Sequence, residues 1–197
     1  SFNAGSDSRV NCTVEEALRL GSAVGAELVK FSMDIQRPRI LYGSCFHPDV
    51  VPQLADRYGK FKEQIPLMEE LGLRICVENH TDTYAEEVLW VVKQLDHPDV
   101  GTCIDTINSI MVLEGPEAAV EKLLPYAFCC HFSDDAIVID PMGVHDLGVS
   151  SGQGSWDLPK ILKRIREVSP MDRVIFENEI PFLHREEPLE EARAREW

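Results

Sequence analysis

Residues 75–80, ICVENH, join an apolar run directly to three polar residues. Residues 75–77 have the continuous apolar character of a strand that is buried on both faces. Glu78, Asn79 and His80 then follow without an intervening turn. Because polar groups cost free energy where strands pack, this position predicts a strand end at which these side chains are used.

The segments around this stretch alternate between strand-like and helix-like patterns. Strands are predicted at residues 28–33, 73–78, 100–105, 126–131 and 173–177, and helices at 13–24, 49–71, 83–95, 116–124 and 157–168. Helix starts are predicted by the capping boxes at residues 13–16 and 83–86, by Pro116 and by Asp157. A glycine-rich loop is predicted at 133–155 and a tail helix at 184–197. Apolar strands that alternate with helices indicate an α/β fold with a parallel sheet.

The polar residues at the strand ends distinguish between an open doubly wound sheet and a (β/α)8 TIM barrel. No GxGxxG glycine fingerprint follows any predicted strand, which weakens the nucleotide-binding open sheet. Four strands end in a potential metal ligand, and the first steps between these residues are 27 and 26 residues, about one βα unit each: Glu78, Asp105, His131, Glu177. A barrel gathers such residues at its top face, so the TIM barrel is favoured.

The length of the chain predicts only part of such a barrel. A TIM barrel typically needs about 250 residues, whereas this chain has 197 and shows five clear strands. Residues 1–9 resemble the end of a strand with its following loop. We therefore expect one domain, residues 1–197, that comprises five or so C-terminal βα units, with about three further units upstream.

Composition narrows the classes of partner and the cellular location. The net charge of −15 predicts that the surface repels nucleic acid and anionic membranes, so neither is expected as a partner. No apolar run approaches the length of a membrane span, and no signal-peptide pattern opens the chain, so a cytoplasmic location is expected. The six cysteines, without a CxxC pair, are expected to be reduced thiols.

Two glutamates, one aspartate and one histidine make a hard, oxygen-rich donor set. Such a set suits one divalent ion, Mn²⁺, Mg²⁺, Co²⁺ or a catalytic Zn²⁺. An ion held there is expected to bind a carbonyl and an adjacent hydroxyl and to stabilise an enediolate. Glu78 and Glu177 are then candidates for the pair that removes and returns the proton.

Five motifs carry a family resemblance. In order and spacing, the segments ICVENH, VGTCIDTINS, CCHFSDD, GQGSWDLPKIL and RVIFENE resemble the xylose-isomerase-like TIM barrel superfamily over residues of about 10 to 180. That superfamily includes sugar isomerases and epimerases, inosose dehydratases, hydroxypyruvate isomerases and an apurinic endonuclease branch. The resemblance implies that Glu78, Asp105, His131 and Glu177 hold Mn²⁺ or a similar ion, and that Glu78 and Glu177 also transfer protons.

Departures from the family patterns assign further candidates. Asn108 stands where the endonuclease branch has a histidine, and Ile137 stands where ketose 3-epimerases have a substrate-holding arginine. Asn108 is expected to contact substrate hydroxyls. His80 and Asp134 are further candidates for substrate binding. His145, within the long loop, is a candidate base or substrate contact.

These observations leave three functions open. The leading one is a metal-dependent isomerase or epimerase of a sugar or keto-sugar. The second is a lyase with the same chemistry, either an inosose-type dehydratase or a C-glycoside deglycosidase that acts on 3-oxo-glycosides with a small partner subunit. The third is a non-catalytic barrel subunit. If the protein is an isomerase or epimerase, a homo-oligomer is expected. If it is a deglycosidase, a hetero-oligomer with a small subunit is expected.

Overall fold

A computed structural model describes residues 2–4, 12–38, 43–141, 143–169, 171 and 174–177. Six of its strands form one parallel sheet in the order β1-β2-β3-β4-β5-β8. Their bounds are β1 Phe2–Ala4, β2 Leu28–Phe31, β3 Arg74–Glu78, β4 Val100–Asp105, β5 Ala127–Phe132 and β8 Ile175–Phe176. Each neighbouring pair runs parallel, as a chain of successive βα units requires.

Within the described residues, five α-helices and two short 3₁₀ segments connect these strands. The helices are α1 Val14–Ala23, α2 Val51–Glu70, α3 Ala85–Leu95, α4 Pro116–Leu123 and α5 Leu158–Val168, and the 3₁₀ segments are Asn108–Val112 and Leu124–Tyr126. Among the described helices, none has the length and apolar character needed to cross a membrane.

The two faces of the sheet pack into separate apolar clusters. Ile75, Val77 and Ile104 belong to the larger cluster, together with the buried residues of the helices. Cys76 and Cys103 belong to a smaller cluster on the opposite face. The alternation of side chains along each strand produces this division, and it places Glu78 on the same face as Cys76. We call this second face the inner face of the sheet.

The predicted helix starts are confirmed at α1 and are wrong by one residue at α3. Thr13 caps α1 in a capping box with Glu16. In α3 the cap is Tyr84, whose N–H donates to Glu87 at 3.0 Å, and not the predicted pair of Thr83 and Glu86. Glu87 is fixed there by Arg37, a partner fifty residues upstream that no local pattern reveals.

The prediction of a glycine-rich loop at 133–155 is wrong at residues 135–140 and 143–148, which form strands. An antiparallel hairpin forms there from β6 Asp135–Asp140 and β7 Gly143–Gly148. The aspartates at both ends of β6 obscured its apolar centre at residues 136–139. The predicted tail helix at 184–197 lies outside the described residues. All six cysteines are free thiols, as predicted.

Candidate metal centre

Four strands bring one polar side chain each to the same point. The ligand atoms of this group all lie within 4.8 Å of one another: Glu78, Asp105, His131 and Glu177. Asp105 is the direct strand neighbour of His131, and the N–H of Glu177 continues the ladder by donating to the carbonyl of Phe132. The first three residues are buried, whereas the side chain of Glu177 is 42% exposed. The structure therefore brings together the four residues that the sequence spacing selects.

His131 lies at the centre of this group. Its Nδ1 is 2.8 Å from Glu78 Oε1 and 2.5 Å from Glu177 Oε2. Neither contact has the alignment of a hydrogen bond, so Nδ1 is buried without a directional partner. Burial lowers the pKa of His131, but the two carboxylates outweigh burial and raise that pKa to about 10. A buried imidazole nitrogen that lies between two carboxylates without an aligned partner fits a site for a shared cation.

Lys30 is the second cation of the centre, and the sequence analysis missed it. It projects from β2 onto the inner face, is 4% exposed, and its Nζ lies 2.5 Å from Glu78 Oε2. Burial raises the pKa of Glu78, but His131 and Lys30 together outweigh burial and lower that pKa to about 2. The signal was present in the sequence as one charged residue inside the apolar strand LVKF.

Asn79 holds the end of β4 against β3. Its side-chain Oδ1 accepts from the N–H of Asp105 at 2.8 Å, and its Nδ2 donates to the carbonyl of Asp105 at 3.0 Å. The amide therefore pairs with both backbone groups of Asp105. Alternation along the strand predicts only that Asn79 points away from Glu78, and it assigns no role to the amide.

The carboxylate of Asp105 is fixed by the turn that follows β4. Its Oδ1 accepts from the N–H groups of Ile107 and Asn108, each at 2.8 Å. Burial raises the pKa of Asp105 to about 6 despite these bonds, and the charge of Glu78 adds to this rise. An acid that is destabilised in this way gains from a bound cation, because the cation compensates for lost hydration.

Two predicted substrate contacts lie near the rim of the centre. Asn108 is the first residue of a 3₁₀ segment, and its backbone N–H donates to Asp105 Oδ1. His80 is partly exposed, and its Nδ1 lies 3.5 Å from Asp82 Oδ1. The adjacent carboxylate of Asp82 raises the pKa of His80, with a further contribution from the charge of Glu78. Their contact with substrate stays a prediction.

Asp134 fastens the loop between β7 and α5. It is 1% exposed, and its Oδ2 accepts from the N–H groups of Gly152 and Gly154 at 2.8 and 2.9 Å. A Cβ at Gly154 would lie 2.0 Å from Asp134 Oδ1, so only glycine fits there. The structure thus gives Asp134 a supporting role, while its predicted role in substrate binding stays a prediction.

The structure does not bring His145 to the four ligand residues. His145 lies on β7, is exposed, and its Nε2 is 2.9 Å from Asp140 Oδ1 on the facing strand. Within the described part of the chain, this partner belongs to the same hairpin. The predicted roles of His145 as a base or a substrate contact therefore stay predictions.

The four ligand residues fit a divalent cation by their chemistry as well as by their position. Three carboxylates and one imidazole are donors that Mn²⁺, Mg²⁺ and Zn²⁺ accept.

A family model described as a xylose isomerase-like TIM barrel matches residues 12–195. The chain belongs to the xylose isomerase-like TIM barrel family. The predicted fold class is thereby confirmed.

Two curated relatives of this family member were found. The protein named "Uncharacterized protein YihM" of Escherichia coli K12 is 26% identical over 153 residues, which are 78% of this chain and 44% of that protein. The 3-oxo-isoapionate decarboxylase of Pectobacterium atrosepticum is 24% identical over 153 residues, 77% of this chain and 54% of that enzyme. The chain therefore spans about half the length of the curated relatives it matches.

Solved structures share the fold at low sequence identity. A xylose isomerase-like TIM barrel protein from Mycobacterium smegmatis in complex with magnesium superposes with a TM-score of 0.65 at 16% identity, over 84% of this chain and 58% of that one. A D-tagatose 3-epimerase-like protein gives 0.64 at 21% identity over 85% and 61% of the two chains. The IOLI protein with a bound zinc atom gives 0.64 at 18% identity over 85% and 59%.

Proposed function

We propose that this family member is a divalent-metal-dependent enzyme that forms an enediolate from a sugar-like hydroxyketone, and that it is an isomerase or epimerase. The observation that carries the proposal is the convergence of four ligand atoms within 4.8 Å around a buried imidazole nitrogen that has no aligned partner. Mn²⁺ is the ion we propose. The magnesium and zinc complexes among the similar structures support a divalent ion of this general type.

The four ligand residues divide into a holding group and a reacting group. A divalent ion at this point supplies Lewis acidity that polarises a carbonyl and stabilises the negative charge that develops on its oxygen. Asp105 and His131 are buried, and backbone N–H groups fix the carboxylate of Asp105, so these two residues are the candidates for holding the ion. Glu177 is the most exposed of the four, which supports a role in contacting the substrate and removing a proton. Glu78 is the candidate for the return of that proton.

A lyase is the second candidate, and Lys30 is the observation that favours it. His131 and the ammonium of Lys30 at 2.5 Å together lower the pKa of Glu78 and make it a weak base, which opposes a reaction that needs two proton-transferring carboxylates. Elimination or decarboxylation requires at most one such base, and a buried ammonium also stabilises a developing anion. The decarboxylase among the relatives supports this class, which includes the dehydratase and deglycosidase alternatives.

A proton-exchange experiment distinguishes these functions. The full-length protein, loaded in turn with Mn²⁺, Mg²⁺, Co²⁺ and Zn²⁺, is incubated in deuterated water with keto-sugars, 3-oxo-glycosides and 3-oxo sugar acids. Deuterium at the carbon beside the carbonyl, in a product of otherwise unchanged mass, supports the isomerase or epimerase. Release of water, aglycone or carbon dioxide supports the lyase.

Variants test the role of the proposed base. Glu177→Gln is expected to abolish exchange and product release in either case, whereas Glu70→Gln, an exposed change on α2, is expected to retain both. Activity that survives both Glu78→Gln and Glu177→Gln in the assembled protein would instead support the non-catalytic subunit.

A further inference from the structure

Three thiols lie on the inner face of the sheet directly beneath the metal centre. Cys76, Cys103 and Cys129 each precede a ligand residue by two positions, on the consecutive strands β3, β4 and β5. Side chains two residues apart on a strand share a face, so each thiol lies one step below its ligand residue. We call these three cysteines the thiol row.

The thiol row is continuous across the three strands. Cys103 is the strand neighbour of Cys129, the Sγ atoms of these two residues lie within 4.8 Å of each other, and Cys76 packs in the same apolar cluster. All three are buried, with Cys76 and Cys103 completely shielded from solvent. The row therefore presents adjacent soft donors in an environment that excludes water.

One imidazole links the thiol row to the centre above. The Sγ atoms of Cys103 and Cys129 and a ring nitrogen of His131 all lie within 4.8 Å of one another. Two thiolates on a tetrahedral ion are about 3.8 Å apart when each bond is about 2.3 Å long. Small side-chain movements thus suffice for all three atoms to share an ion.

We propose that the thiol row is a second metal site, selective for thiophilic cations such as Cd²⁺ and Zn²⁺, in which Cys103, Cys129 and His131 are ligands and Cys76 is the adjacent fourth donor. Soft thiolates favour such ions over Mg²⁺ or Mn²⁺. Two thiolates around one divalent ion are neutral together, so the buried site holds no uncompensated charge. The two thiol protons leave as the ion binds.

The shared imidazole couples the two sites. Because His131 belongs to both ligand sets, a thiophilic ion in the thiol row competes with a hard ion held by the carboxylates. Thiophilic ions that bind in the thiol row therefore displace the ion from the upper centre, and they do so through buried residues that lie beneath that centre.

Cadmium titration of the Mn²⁺-loaded full-length protein tests the proposal with two signals. The sulfur-to-cadmium charge-transfer absorption reports thiolate ligation, and the electron paramagnetic resonance of free Mn²⁺ reports displacement from the upper site. We expect the absorption to saturate at about one ion per chain, with release of Mn²⁺.

Matched variants assign the signals to the thiol row. In Cys103→Ala/Cys129→Ala the absorption is expected to disappear, and about tenfold more Cd²⁺ is needed to release Mn²⁺. Cys130→Ala is the control, because Cys130 is buried one residue away but packs in the other apolar cluster; both signals are expected to stay unchanged. If the alanine pair does not fold, Cys103→Val/Cys129→Val preserves the apolar volume and serves the same purpose.

The outcomes separate this site from the proposed function. Glu78→Gln/Glu177→Gln is expected to lose Mn²⁺ and to keep the cadmium absorption, since the thiolates remain. Absence of the absorption in the wild-type protein overturns the thiol site, and so does its persistence in a folded variant that lacks both Cys103 and Cys129. A protein that never binds Mn²⁺ but shows the absorption contradicts only the proposed function.

Discussion

Lys30 Nζ lies 2.5 Å from Glu78 Oε2, and the side chains of the two residues are 5% and 2% exposed. This ion pair joins β2 to β3 beneath the rim where the ligand residues meet. A buried pair of this kind contributes little net stability compared with an apolar pair, but removal of Lys30 leaves His131 as the remaining neighbour that compensates the charge of Glu78. The pair therefore couples the stability of the inner face to the charge state of a ligand residue.

The change Lys30→Met tests this coupling. We expect a loss of about 3 kcal/mol in the free energy of unfolding of the metal-free protein at neutral pH, because Glu78 loses its nearest cation. Lys60→Met, which breaks the exposed pair with Asp56 at 2.7 Å, is expected to cost less than about 1 kcal/mol. Denaturant unfolding of both variants measures the difference. Equal losses would show that Lys30 does not compensate Glu78.

The two hydrogen bonds of Asn79 make it a positioning residue for Asp105. In Asn79→Ala the N–H and carbonyl of Asp105 lose their partners, and we expect Mn²⁺ affinity to fall about 10- to 100-fold. Gln94→Ala, an exposed change on α3, is expected to leave the affinity unchanged. Isothermal titration calorimetry with Mn²⁺ measures both. An unaltered affinity for Mn²⁺ in a folded Asn79→Ala protein would show that Asn79 does not position Asp105 for metal binding.

Substitution by alanine is expected to have opposite effects on stability at two glycines, Gly154 and Gly59. At Gly154 a Cβ meets the carboxylate of Asp134 and the carbonyl of Asp135, so Gly154→Ala is expected to destabilise the protein by about 1 to 3 kcal/mol through the backbone shift it forces. At Gly59, inside α2, a Cβ has open space, so Gly59→Ala is expected to stabilise by about 0.5 to 1 kcal/mol. Thermal unfolding of the two variants gives the signs. A stabilising Gly154→Ala would contradict the described loop.

The hairpin of β6 and β7 carries a pH-dependent carboxyl group. Burial raises the pKa of Asp135 to about 7, and nearby Asp146 adds to the rise. Since the folded pKa exceeds the ordinary value of 3.8, the folded state is favoured when Asp135 is protonated, and stability falls as the pH rises from about 4 through 7.

The substitution Asp135→Asn removes this titration. We expect a gain of about 1 kcal/mol at pH 8 and little change at pH 4, because solvent screens a half-buried group. Melting temperatures of both proteins from pH 4 to 8 provide the measurement. A wild-type protein that becomes more stable towards pH 8 relative to the variant would reverse the predicted sign.

The ligand residues could be predicted because they recur at the period of the βα unit. Glu78, Asp105 and His131 each end an apolar strand, and a parallel sheet places such ends together whatever the details of packing. Lys30 could not be assigned in this way, because a lone lysine in a strand is usually exposed. Only its pairing with Glu78 on β3 explains its burial.

The role of Asn79 and the start of α3 depended on residues far away in sequence. Alternation along β3 gives the direction of Asn79, but its hydrogen bonds go to the next strand, 26 residues on. Glu87 replaces Glu86 at the helix start because the buried Arg37 holds its carboxylate at 2.7 Å. Local patterns contain neither partner.

The metal centre is tested by the divalent-ion content of the full-length protein after equilibration with Mn²⁺ and removal of free ion. We expect about one ion per chain in the wild-type protein, and almost none in Asp105→Asn or in Glu78→Gln/Glu177→Gln, with folding confirmed by circular dichroism. Glu70→Gln is expected to retain the ion. A wild-type protein that binds no divalent ion with all four ligand residues intact, or variants that bind it as well as the wild type, would contradict the metal centre.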